Sequence, residues 1–438
     1  MNVTADLIII GAGPGGYEIA AEQADAGKTV VLIEKDLPGG TCLNRGCIPT
    51  KCLCASADAL RTVRQAANFG IAVGDVTADY AAAHSRMTDI VTSIRQNVAD
   101  FTGRCQKVEA EASFTADGGV AAGENVYYAE KTIIATGSQP ARLPFDNGVC
   151  ITSDDLLTLS TLPASMAIIG GGVIGMEFAS ILNTYGVEVT VIEYCREILP
   201  PFDADVAKRL RSTLSRRGIK FILGAAVTAV EGGPDGKTVH YTGKKGPAEI
   251  TVAEVLTAVG RRPVVPAGLA EAGIEVDRRG FIVTDENMMT TRPGVYAVGD
   301  CNGRLMLAHA ATAQARRAIG QDVDLTAIPS AVFTHPECAM CGLTEEGARQ
   351  AGMEVRTARA MFAGNGKAMA MGEAEGFVKT VFNASTGAIV GCHIIGPHAA
   401  DLIQETVIPI AQAMTPADLR RYVHGHPTLS ETLAATLA

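Results

Sequence analysis

The chain has 438 residues, 47% hydrophobic and 19% charged, which is enough apolar material for buried cores and too much for a disordered protein. Lys and Arg total 37 against 47 Asp and Glu, a formal charge of −10 that argues against nucleic acid or an anionic membrane surface as partner. No apolar run approaches the ~20 residues needed to cross a bilayer, and the opening Met1-Asn2-Val3-Thr4 has neither a basic stretch nor a cleavage signal, so a cytoplasmic location is expected.

The run Leu7-Ile8-Ile9-Ile10 leads into Gly11-Ala12-Gly13-Pro14-Gly15-Gly16, then an Ala-rich stretch, then Val30-Val31-Leu32-Ile33-Glu34. This is a βαβ pattern. In G-x-G-x-x-G, Gly11 makes the tight turn, Gly13 lets the backbone approach a pyrophosphate, and Gly16 lets helix and strand pack closely. The pyrophosphate is held by free N–H groups at the helix start. The acid closing the second strand, Glu34, accepts from ribose hydroxyls.

Gly40-Thr41-Cys42-Leu43-Asn44-Arg45-Gly46-Cys47 follows directly. On one regular helix, five residues at ~1.5 Å rise would set the two cysteines about 7.5 Å apart along the axis. A disulfide wants Cα atoms roughly 4.4–6.8 Å apart. Joining them requires an irregular helix start, which Gly46 permits. A bridge of that kind is easily reduced and suits a redox centre. Lys51, one turn after Cys47, can favour a thiolate there. The chain's 11 cysteines, an odd number at irregular spacings, are not a secreted disulfide framework. Cys52 and Cys54 are expected to pack.

Residues 55–110 read as largely helical, followed by short strands and Thr132-Ile133-Ile134-Ala135-Thr136-Gly137-Ser138. The βαβ pattern then recurs. Ala167-Ile168-Ile169 runs into Gly170-Gly171-Gly172-Val173-Ile174-Gly175 and closes at Val189-Thr190-Val191-Ile192-Glu193. Glu193 would repel a 2′-phosphate, so this second site should prefer NAD to NADP; Arg196 is read as a solvated turn residue. Leu256 to Pro263 closes this unit through Gly260, and Val295 to Asp300 returns to strand character. Residues 329–438 read as a separate α+β region with a hairpin over 377–395. Cys338 and Cys341 have metal-like spacing but lack a second ligand pair, so no metal is expected. Near the end, His426 and Glu431 can form a base dyad in which the carboxylate fixes the imidazole tautomer.

Together these motifs resemble the class I pyridine nucleotide–disulfide oxidoreductases over essentially the whole chain. The resemblance is carried by Gly11 to Gly16, Gly40 to Lys51, Ala135 to Ser138, Gly170 to Glu177, Gly260 to Pro263, Val295 to Asp300 and His426 to Glu431. Ile328 to Glu337 and Gly391 to Pro397 are similar to the family's dimerisation domain. Within the family, the similarity is greatest to the enzymes that oxidise dihydrolipoamide. The position usually held by Asn after Arg262-Pro263 is Val264 here.

The resemblance implies an α/β fold of two Rossmann-like, three-layer dinucleotide-binding domains, one nested in the other. Residues 1–148 and 264–328 would take FAD, residues 149–263 NAD, and 329–438 would form the interface domain. FAD would meet Gly11, Gly13, Pro14, Gly16, Glu34, Lys35, Gly40, Thr41, Lys51, Ala135, Thr136, Gly137 and Ser138. Asp300 would bind flavin-side hydroxyls, with Leu307, Ala308 and His309 facing the ring. NAD would meet Gly170, Gly172, Ile174, Gly175, Glu193 and Gly260. Cys47 would lie against the flavin and Cys42 would meet substrate. Lys51 would pair with Glu177. His426, held by Glu431, would act as base in the other subunit's site, making the working unit a homodimer. The implied partner is a lipoyl-bearing carrier protein of a 2-oxoacid dehydrogenase or glycine cleavage system. The rival reading is a reductase of glutathione or a related small thiol. Glu193 and Gly175 argue against it, because those enzymes commonly use NADPH.

Overall fold

The computed structural model describes residues 1–234 and 236–438. Strand β1 (Asn2–Ile10) passes through the first glycine cluster into helix α1 (Pro14–Asp25) and strand β2 (Val30–Glu34), which lies parallel to β1. Leu7 to Ile10 are all buried. A parallel strand is covered on both faces, so its sequence is a continuous aliphatic run and not an alternating one. Helices α2 (Gly40–Arg45), α3 (Cys47–Arg64) and α4 (Tyr80–Phe101) follow, then β3 (Gln106–Glu109), β4 (Ala112–Phe114), β5 (Val120–Ala122), β6 (Asn125–Ile134) and β7 (Ser138–Pro140). The helical reading of residues 55–110 fails at its end. Gln106–Glu109 is an edge strand parallel to β2. Only Val108 in it is shielded from solvent, so it carries no burial pattern to announce a strand.

After the short helix α5 (Ser153–Leu156), the second unit contains β8 (Ser165–Ile169), α6 (Val173–Thr184), β9 (Glu188–Glu193), α7 (Ala204–Arg216) and β10 (Lys220–Leu223). Three antiparallel strands, β11 (Ala226–Gly233), β12 (Gly236–Gly243) and β13 (Gly246–Val252), precede β14 (Glu254–Thr257). The two parallel sheets have the same order, β3-β2-β1-β6 and β10-β9-β8-β14. Each also carries an antiparallel insert just before its last strand. The similarity between the two glycine segments therefore extends to the topology around them.

Strand β15 (Arg261–Pro263) pairs antiparallel with β7. The chain then rejoins the first sheet through β16 (Val295–Ala297), which lies along the C-terminal part of β6 while β5 lies along its N-terminal part. One unit is thus nested in the other. Helix α8 (Ala308–Ala318) leads to an antiparallel sheet of β17 (Ser330–Val332), β18 (Glu337–Gly342), β19 (Val355–Met361), β20 (Phe377–Asn383) and β21 (Ile389–Gly396), ordered β17-β18-β21-β20-β19. The hairpin read over 377–395 is β20–β21.

Lys379 on β20 is 4% exposed. Its ammonium meets Asp203 at 3.0 Å, Asp205 at 2.9 Å and Glu345 at 2.7 Å, tying the start of α7 to this sheet. A buried cation is tolerable only with such partners. Cys338 and Cys341 sit an odd number of residues apart on β18, so they face opposite sides of the sheet. Among the described residues no cluster of three His, Cys, Asp or Glu side chains could hold a metal, and no helix is long and apolar enough to cross a membrane.

Candidate active site

The first glycine loop opens onto a cavity of about 1090 Å³. Helix α1 starts at Gly13 with Pro14 in its first turn and no side-chain cap, which leaves main-chain N–H groups free at its positive end. A Cβ on Gly16 would lie 1.9 Å from the Gly11 carbonyl oxygen, so only glycine lets the helix sit this close to the strand. Glu34 accepts from the N–H of Ala12 at 2.7 Å and of Asp36 at 2.9 Å, which braces the loop while leaving lone pairs for a ligand hydroxyl. Every residue assigned to the first site from sequence, apart from Gly16, lines this cavity, as do Cys42, Cys47 and Glu177. A long cavity with an uncapped helix start and a carboxylate one strand away suits a dinucleotide.

The cysteines lie on either side of a helix break. Cys42 is on α2, Cys47 opens α3, and Gly46 stands between them with φ −147° and ψ −110°. A Cβ on Gly46 would lie 2.9 Å from the Thr41 carbonyl oxygen, so a side chain there would push the two helix ends apart. Asn44 braces the same turn by donating to the carbonyls of Pro38 at 3.0 Å and Gly40 at 2.9 Å. Both thiols are half-buried. The hydrogen bond from the Cys42 thiol is the main influence lowering Cys47 to about 7; Lys51 acts in the same direction and burial opposes. That same contact, then burial and the charge on Cys47, pushes Cys42 up.

Lys51 places its ammonium 3.0 Å from each carboxylate oxygen of the buried Glu177 on α6. Phe333, between β17 and β18, completes this cluster. Its N–H donates to Glu177 at 2.9 Å, and its ring lies 4.3 Å from the Lys51 nitrogen. Sequence reasoning gave Phe333 no role. The contact spans 156 positions and leaves no local signal. Asp300 accepts from the Ser138 hydroxyl at 2.5 Å, and His309 contacts the Pro329 carbonyl at 2.9 Å.

The second glycine loop repeats the first closely. Gly172 starts α6 without a side-chain cap, and a Cβ on Gly175 would lie 2.1 Å from the Gly170 carbonyl oxygen. Glu193 accepts from the N–H of Gly171 at 2.5 Å and of Cys195 at 2.6 Å, as Glu34 does in the first loop. Of the residues assigned to this site, Ile174 lines the large cavity, whereas Gly170, Gly172, Gly175, Glu193 and Gly260 do not. Arg196 is exposed.

His426 Nδ1 is 2.8 Å from Glu431 Oε1, so the two residues form a contact pair. They are not brought to the thiols of their own chain. Neither lines the cavity, and the His426 side chain is 81% exposed. The nearby Tyr422 and Val423 are 66% and 97% exposed.

Residues 5–315 match the family model described as pyridine nucleotide-disulphide oxidoreductase, and residues 328–436 match the dimerisation domain of the same family. The chain belongs to this family. It is an FAD-dependent oxidoreductase that uses NAD(H). Relatives named dihydrolipoyl dehydrogenase include one from Chlamydia muridarum, 39% identical over 99% of this chain and 96% of the relative. Another, from Bacillus subtilis, is 34% identical over 99% and 97%. Among solved structures, LpdA from Mycobacterium tuberculosis superposes with a TM-score of 0.89 at 27% identity, covering 99% of both chains. The HOCl-induced flavoprotein disulfide reductase RclA from Escherichia coli superposes with a TM-score of 0.87 at 27% identity, also covering 99% of both.

Proposed function

We propose that this oxidoreductase oxidises dihydrolipoamide to lipoamide and reduces NAD⁺, working in the cytoplasm as a homodimer on a lipoyl group borne by a carrier protein. The supporting observation is the pair of unequal thiols across the Gly46 break, in the same cavity as the first glycine loop and beside Lys51. The relatives named dihydrolipoyl dehydrogenase point the same way.

With Cys42 and Cys47 joined as a disulfide, His426 of the partner subunit takes a proton from one substrate thiol. The resulting thiolate attacks the Cys42 sulfur. The Cys42–Cys47 bond breaks, and Cys47 leaves with the electron pair as thiolate. The lower-pKa thiol is the better leaving group, so attack at Cys42 is favoured over attack at Cys47. Lys51 stabilises the charge that Cys47 acquires. The second substrate thiol then closes on the substrate's own sulfur. This completes the cyclic disulfide and releases Cys42, which takes up the proton given up by that second thiol, while His426 passes the first proton to solvent. A bound flavin supplies the two-electron relay from the Cys42–Cys47 dithiol to NAD⁺.

The solved structure named a flavoprotein disulfide reductase favours a broader second reading, reduction of another small disulfide by NADH or NADPH. One experiment separates them: steady-state turnover of NAD⁺ and NADP⁺ with dihydrolipoamide, against NADH and NADPH with glutathione disulfide. Activity confined to NADPH and glutathione disulfide would overturn the first reading.

A further inference from the structure

We propose that Arg261 is a positioning residue for the flavin site, acting through Ser138 on the carboxylate of Asp300. The inference rests on the reading that the cavity takes FAD and that Asp300 meets its hydroxyls. Arg261 opens β15, on the strand pairing that joins the nested unit to the first one. Its side chain is 13% exposed and lines the cavity. Its Nε donates to the Ser138 hydroxyl oxygen at 2.7 Å, and a terminal nitrogen donates to the Ser138 carbonyl at 2.8 Å.

A serine hydroxyl has one proton and two lone pairs. Accepting from Arg261 occupies one lone pair and fixes the rotor, so the single proton is directed to Asp300 Oδ2, 2.5 Å away. The link therefore runs one way, from guanidinium to hydroxyl to carboxylate, and such chains strengthen each member. The guanidinium is 4.0 Å from Asp300 Oδ2, close enough to attract its charge but beyond hydrogen-bonding distance. The backbone just before Asp300 is anchored, because the N–H of Gly299 donates to Gln314 Oε1 at 2.8 Å. What remains free is the carboxylate's rotation, and Ser138 sets it. With Oδ2 engaged, Oδ1 is left to accept from a hydroxyl of a ligand in the cavity.

The test compares holoenzymes of the wild type, Arg261→Gln, Ser138→Ala, the double variant and Ser138→Thr. FAD release is followed by the recovery of free flavin fluorescence, and the flavin midpoint potential is measured in parallel. Arg261→Gln and Ser138→Ala should each speed release roughly tenfold. The double variant should be no faster than either alone, because both remove the same link. Ser138→Thr keeps the hydroxyl and should release FAD at the wild-type rate. The potential should shift in the first two variants and not in Ser138→Thr. Additive effects in the double variant, or wild-type release in Ser138→Ala, would overturn the inference while leaving the proposed function standing. A purified protein without flavin would overturn both.

Discussion

Glu177 grips the Lys51 ammonium with both carboxylate oxygens, each at 3.0 Å, across 126 positions of sequence. The pair holds a positive charge one helical turn from Cys47. Lys51→Met should therefore move the Cys47 pKa upward, toward the ordinary thiol value. The rate of iodoacetamide alkylation of the reduced protein against pH reads this directly. A midpoint unchanged by the substitution would remove Lys51 from the account.

In the unsubstituted protein the same measurement should give a midpoint near 7 for Cys47. Because the pKa is lowered, thiolate predominates above that pH. Alkylation should fall about tenfold for each unit below it. Cys42, pushed the other way, should stay protonated through neutral pH and react slowly. Peptide mapping of the alkylated sites separates the two.

His426→Gln should slow the thiol half-reaction by roughly 10²–10⁴-fold. Because His426 does not line its own chain's cavity, mixed dimers discriminate between arrangements. A one-to-one mixture of His426→Gln and Cys47→Ser subunits makes half its dimers hybrid, each with one intact site of two. Such a mixture should recover about a quarter of wild-type turnover. No recovery after subunit exchange would mean that His426 serves its own chain or none.

The glycines beneath the two helix starts should separate the two dinucleotides. Gly175→Val places atoms against the Gly170 carbonyl and should abolish NADH-dependent flavin reduction while the protein remains yellow. Gly16→Val should yield protein without flavin. Absorbance at purification and stopped-flow reduction by NADH check the two outcomes. A Gly175→Val protein with normal reduction by NADH would show that the second loop is not the nicotinamide site.

Lys379→Met leaves Asp203, Asp205 and Glu345 facing one another without their shared cation. Removing one partner from a buried charge cluster costs about 3–5 kcal/mol. Denaturant unfolding should report a loss of that order, and a loss under 1 kcal/mol would show that the cluster contributes little to the fold.

The elements that position the chemistry were those with strong local signals. The aliphatic runs Leu7–Ile10 and Ala167–Ile169 are the buried parallel strands β1 and β8, because burial on both faces removes any alternation. The arithmetic of C-x4-C pointed to a helix break, and Gly46 is where the helix breaks. The hairpin at 377–395 was visible because its two strands are bounded by turn residues. Strand β3 was not visible, since its pairing with β2 is a main-chain event in a segment of mostly exposed side chains. Phe333 beside Glu177, Arg261 beside Ser138, and Asp203 beside Lys379 depend on how distant segments pack, and neither spacing nor composition encodes that. The position of His426, away from its own chain's thiols, was legible only through the family resemblance.

The nested unit leaves the first one after β7 and rejoins it at β15, a ribbon of three residues on each side. The nested unit is in effect a cassette, with its own sheet and its own glycine loop. Residues at the end of β9 can therefore change over evolution without redrawing the sulfur chemistry housed in the flanking sequence.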